Sequence, residues 1–202
     1  DAEDVRLMMQ GIARFGTGGS RADYWAQRVS ECYSELVRGT PTPKGFRMLP
    51  GLFSHGAVHV FGAKLDATPN GRRKGDPISH SGNPDPGFLP GGGGAPTAKS
   101  TAVAAVQPRW GNTTPLQLDL DSSLAHTIGG IDSVVALIKA HNELCGTLIN
   151  LNVISKEQLL EAHENPESHP DLVVRVTGYS AYFRSLSKQY RQQVVNRILA
   201  AQ

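Results

Sequence analysis

Leu172-Val173-Val174-Arg175-Val176-Thr177-Gly178-Tyr179-Ser180-Ala181-Tyr182-Phe183 is the stretch on which the reading of this chain turns. The apolar run 172–174 reads as a strand, one glycine follows, and a helix-like tail lies beyond. In plain backbone terms Gly178 is a tight turn between that strand and the last helix. Such a turn asks for glycine because positive φ or a close backbone approach excludes a Cβ.

The neighbouring segments carry strong patterns. Downstream, 187–199 reads as a helix with Tyr190, Val194, Val195 and Ile198 on one face. Upstream, Ser155 with Gln158 makes a capping box for a short helix through Leu159, Leu160 and Ala162. Asn165-Pro166 and His169-Pro170 connect that helix to the strand at Leu172. Further back, 147–154 reads as a strand, and Asp132-Ser133 caps a helix carrying Val134, Val135, Leu137, Ile138 and Leu144 that Gly146 breaks. Leu116, Leu118 and Leu120 alternate with Gln117 and Asp119 as in a half-buried strand, and 102–106 reads as a buried one. Strand, helix, strand, helix, strand, glycine loop and helix make an α/β or α+β unit.

The first half is less regular. Val5, Met8, Met9 and Ile12 are spaced for a helix over 2–14. A second helix, 21–38, carries an apolar stripe of Tyr24, Trp25, Val29, Cys32, Tyr33, Leu36 and Val37, which places Cys32 in a packed core. Residues 57–61 suit a short buried strand, and Pro69-Asn70-Gly71 is a turn, since Pro presets φ and Asn-Gly accepts positive φ. The segment 76–97 is long and irregular, and loops of that length are usually functional or tied down by neighbours.

Composition excludes several classes. The chain has 202 residues, 39% hydrophobic and 19% charged, enough for a sizeable core. A net charge of +2 with no Lys/Arg run argues against nucleic acid, and no apolar segment approaches membrane-spanning length. Cys32 and Cys145 make no disulfide framework, so a reducing, cytoplasmic setting is expected. The seven histidines lack a second pair at zinc spacing, so no metal is assigned. The run Leu52-Phe53-Ser54-His55-Gly56 has Leu52 where a nucleophile elbow requires glycine, and Gly91 to Gly94 are not followed by Lys-Ser or Lys-Thr at phosphate-loop spacing.

The segment Arg175-Val176-Thr177-Gly178-Tyr179-Ser180-Ala181-Tyr182-Phe183 resembles the signature of the glycyl radical enzymes, with Gly178 at the radical position. Three further segments stand in the family's order: 67–77 (Ala-Thr-Pro-Asn-Gly-Arg-Arg-Lys-Gly-Asp-Pro), Asn150-Leu151-Asn152-Val153, and Leu159-Leu160-Glu161-Ala162 with Asn165-Pro166. The resemblance implies an α/β fold that is the C-terminal part of a ten-stranded barrel, with helices, long irregular loops and a buried glycyl radical loop. It divides the chain into a helical layer and barrel entry (1–75), a long loop with barrel strands and a helix (76–145), and a glycyl radical domain (146–202).

Chemistry gives glycine a reason to stand there. A radical at Cα is stabilised when that carbon flattens and shares spin with the flanking amides, and a Cβ would crowd the planar arrangement. The resemblance implies that Gly178 stores a radical as a post-translational modification, within a motif of Arg175, Val176, Thr177, Tyr179 and Ser180. It implies no permanently bound cofactor. A separate activating enzyme with a 4Fe-4S cluster would use S-adenosylmethionine to take the hydrogen, and a cysteine elsewhere would then become the reactive thiyl. Neither Cys32 nor Cys145 sits in a matching motif, so that cysteine belongs to a remainder of the barrel, on the same gene or a partner subunit. The chain is thus expected to be cut from something longer, a split subunit, or a rescue protein for a damaged enzyme. A homodimer of the full enzyme and a small-molecule substrate are expected, with His80, Asn83 and Asp85 on a substrate-side loop. Ser180-Ala181-Tyr182-Phe183 looks more like the decarboxylase and dehydratase branch than like the acyltransferase pyruvate formate-lyase.

Overall fold

The computed structural model describes residues 1–53, 55–84, 95–107 and 114–200. At its centre β1 (Leu116–Asp121) and β2 (Ile149–Ile154) pair in parallel, Gln117 opposite Asn150 and Asp119 opposite Asn152. Parallel neighbours need a crossover, and α5 (Gly130–Glu143) supplies it. Strand side chains alternate, so each face of the pair has its own chemistry. Leu116 and Leu118 pack with Val103 and Leu137, joined by Ile149 and Leu151. Gln117, Asp119, Asn150 and Asn152 alternate with them and are all buried.

A second core gathers around the glycine stretch. β3 (Val173–Arg175) and β4 (Ser180–Tyr182) form an antiparallel hairpin, Arg175 opposite Ser180. Val174, Val176 and Phe183 pack with Leu159 and Ala162 of α6 (Lys156–Glu164) and with Val194, Val195 and Ile198 of α7 (Lys188–Ala200). Ser155 caps α6 by accepting from the Gln158 amide at 3.2 Å.

Several expectations are corrected. The tail after Gly178 is a strand, so the glycine lies in a hairpin turn and not between a strand and a helix. Residues 57–61 fall in a short helix, α3 (Val58–Gly62), because a five-residue apolar run carries no usable period. Residues 102–106 fall mostly in α4 (Pro96–Ala105), which Pro96 opens at the first helical position. Burial of Ser100, Ala102, Val103 and Ala104 removes the polar side by which a helix is recognised. Helix α5 starts at Gly130 behind an N-cap of Gly129, leaving Asp132 in the first turn and not at the cap.

The largest reversal concerns α2 (Arg21–Gly39), which presents its polar side inward. Its buried residues are Ser30 and Ser34, and Ser30 Oγ donates to Val106 O at 2.8 Å. Tyr24, Trp25, Val29, Cys32, Tyr33 and Leu36 are exposed, so Cys32 is not in a core. No residue of α1 (Ala2–Gln10) is buried either. The turn at Pro69-Asn70-Gly71 holds as read: Gly71 has φ +88° and donates to Thr68 O at 3.0 Å. Arg72, almost fully buried, ties the loop by donating to Asp76 O at 2.7 Å and to Asp66 O.

Candidate functional site

The turn comprises residues 176–179 and is closed by Val176 N donating to Tyr179 O at 2.9 Å. Val176 and Thr177 are buried beneath it, whereas Gly178, Tyr179 and Ser180 are exposed. The glycine loop expected to be buried therefore lies open in this chain. A Cβ built at Gly178 meets nothing within 4 Å, and its φ is outside the left-handed region. The ordinary explanation, a turn that only glycine can make, thus has no support in the backbone.

The arm entering the turn is held tightly. Arg197, on α7, is 6% exposed and donates to Val176 O through one terminal nitrogen and to Arg175 O at 2.6 Å through the other. Its Nε lies 3.3 Å from Asp119 Oδ2 of β1. Asn152 Nδ2 donates to Asp119 Oδ1 at 3.1 Å and Asn152 Oδ1 accepts from Arg175 N at 3.4 Å, closing a circuit through β1, β2, β3 and α7. Arg175 reaches across the strands, donating to Asn150 Oδ1 at 3.3 Å and to Ser180 Oγ at 3.4 Å.

On the flank, a Cβ at Gly56 would come within 3.3 Å of Tyr190 Cε1 and 3.7 Å of Thr177 Oγ1, so the loop at Gly56 runs close against the turn. Tyr190 in turn meets His59 edge to face, 4.7 Å between ring centroids. Ser54 lies outside the described residues.

Of the loop expected to meet substrate, His80 and Asn83 are buried and engaged within the chain. His80 Nε2 is 2.6 Å from Gln193 Nε2, which stands one helical turn before Arg197 on the same face of α7. Desolvation, with Arg197 and Lys99 adding unfavourable charge, pushes its pKa down to about 4. Burial likewise lowers the Lys99 ammonium, Asp119 opposing and Arg197 reinforcing. Asn83 braces β1: its Nδ2 donates to Pro115 O at 2.5 Å and its Oδ1 accepts from Gln117 N at 2.8 Å. Asp85 lies outside the described residues, and among those described no cluster of three His, Cys, Asp or Glu could hold a metal ion.

Sequence reasoning missed Arg197 and the partner of Asp119. The available signal was a charge beside an apolar pattern that calls for none: Arg197 adjoins Ile198 and follows Val194 by three on the last helix, and Asp119 stands between two leucines. Gln117, noted beside it, is 3% exposed with neither amide end partnered among the described residues.

Residues 95–184 match the protein family described as "Glycine radical". Trans-4-hydroxy-L-proline dehydratase of Clostridioides difficile is 30% identical over 193 residues, 96% of this chain and 24% of that protein. Formate acetyltransferase 1 of Escherichia coli (strain K12) is 29% identical over 197 residues, 91% of this chain and 25% of that protein. The glycerol-bound structure of the B12-independent glycerol dehydratase from Clostridium butyricum aligns with a TM-score of 0.82 at 29% identity, covering 97% of this chain and 25% of that one. The chain spans about a quarter of the length of these relatives.

Proposed function

Since the chain belongs to the glycyl radical enzyme family, we propose that it is the radical-storing C-terminal portion of a lyase of that family, with Gly178 as the storage site. The observation that carries this reading is a glycine kept where neither φ nor packing within the chain asks for one. A capto-dative Cα radical supplies the missing reason.

The activating enzyme, with its 4Fe-4S cluster and S-adenosylmethionine, removes one hydrogen atom from Gly178 Cα. A cysteine thiol on the remainder of the barrel then gives its hydrogen atom to Gly178, restoring glycine and forming the thiyl. The thiyl abstracts a hydrogen from the substrate and recovers one at the end of turnover. In this scheme the exposed turn is the face that the remainder of the barrel covers, keeping spin from water and dioxygen. The exposed apolar side of α2 fits a chain meant to be covered elsewhere as well.

Relatives named as dehydratases favour dehydration of a small hydroxylated molecule over decarboxylation. The formate acetyltransferase, at nearly the same identity, keeps an acyltransferase as the second reading. A cytoplasmic homodimer of the full enzyme completes the proposal; among the described residues no helix is long and apolar enough to cross a membrane.

Anaerobic activation of the complete enzyme should give a doublet in electron spin resonance that collapses when glycine is deuterated. Air should then cut the backbone at Gly178 into two defined fragments by mass spectrometry. A signal that survives Gly178→Ala would overturn the assignment.

A further inference from the structure

The circuit beneath the turn has a feature that hairpin stability does not require. Arg175 and Val176 sit at the end of β3, where a hairpin closes with backbone bonds alone, as Val176 N and Tyr179 O do here. Yet the carbonyls of both residues accept from one buried guanidinium, and a carboxylate from a different sheet holds that guanidinium in place. Burying this ion pair brings little net stability, because desolvation offsets most of the attraction. What a planar fork held from behind does supply is orientation, since two carbonyls are fixed relative to each other and to α7. The second of them belongs to the peptide joining Val176 to Thr177, immediately before the peptide that shares spin with Gly178.

We infer that Arg197 is a positioning residue for the glycyl radical, setting the peptide planes that lead into Gly178, and that Asp119 holds Arg197 to that task. The inference rests on the reading of Gly178 as the radical site. Among the described residues the arm after Gly178 has no equivalent side-chain brace from another element: Tyr179 and Ser180 are exposed, and Ser180 bonds to Arg175 of the same hairpin. The turn is thus clamped by a buried side chain on its entering side and held by the hairpin's own bonds on its leaving side. Loosening the clamp lets the entering peptide rotate out of plane with the Cα, which removes spin delocalisation and shortens the radical's life.

The test uses the complete enzyme with two substitutions. Arg197→Lys keeps the charge and loses the fork. Asp119→Asn with Arg197→Gln removes both charges together, so neither is stranded in the interior. After anaerobic activation, the decay of the doublet is followed beside hydrogen exchange of the peptide spanning 172–183, with the peptide spanning α5, which holds no residue of the circuit, as control. Radical decay at least fivefold faster in both variants is expected, with exchange raised at 175–179 and unchanged in α5. Wild-type decay in either variant, or wild-type exchange at 175–179, overturns the inference and leaves the storage assignment standing. Absence of any doublet in the unsubstituted, activated enzyme overturns the storage assignment and, with it, the role for Arg197 in holding a radical. Raised exchange in the variants would then show only that the turn is clamped.

Discussion

Gly178 and Cys145 make opposite demands on the backbone, and each is testable by one substitution. At Gly178 φ lies outside the left-handed region and the space around a Cβ is open. Gly178→Ala should therefore leave the folding stability of this chain unchanged or raise it by about 0.4–1 kcal/mol, as measured by urea denaturation. A loss of 2 kcal/mol or more would restore the turn explanation. Cys145 is the reverse case, a non-glycine residue at φ +65° just after α5. Cys145→Gly should stabilise the chain by about 1 kcal/mol. His80 carries a pH dependence. Its pKa is lowered from 6.5 to about 4 by desolvation first, then by Arg197 and Lys99, so the unfolded chain binds the proton more readily. Stability is then full above about pH 6.5 and falls towards pH 4, by roughly 3 kcal/mol. His80→Gln should flatten the urea-midpoint profile across that window.

Elements show why part of the architecture was readable and part was not. β1, α5, β2, α6 and α7 announced themselves through alternation, helical spacing or caps, because each sets an apolar side against a polar one. α4 lacks that contrast, since its apolar and small residues are enclosed, and it read as a strand. Residues 180–182 were too few to show a period, and so the hairpin was missed. Gly146 was read as a helix stop, but packing gives it a sharper reason: a Cβ there would run into the ring of His141, which is fully buried. Gly146→Ala should destabilise by about 2 kcal/mol or more by denaturant titration, while an alanine at Gly39, where a Cβ meets nothing within 4 Å, should not.

Taken together, the two apolar cores meet across a polar seam made by Asp119, Asn152, Arg175 and Arg197, while α1 and α2 leave large apolar side chains outward. In the proposed full enzyme that apolar helix side packs against the remainder of the barrel. Cys32 reports on it, being exposed in the midst of the stripe. Thiol labelling of Cys32 should be fast in residues 1–202 alone and at least tenfold slower in the complete enzyme. Equal rates would mean that α2 faces solvent there too.

Local pattern was enough to place the central strands, most helices, the 69–71 turn and the family signature around Gly178, because periodicity, caps and turn chemistry act over a few neighbouring residues. Only the folded arrangement could reveal that α2 points its aromatic side outward, that the glycine turn is open, and that Arg197 reaches Asp119 and two carbonyls. Those facts depend on contacts between residues far apart in the chain, such as positions 119 and 197. No short window contains both partners, so no pattern within one can reveal the bond.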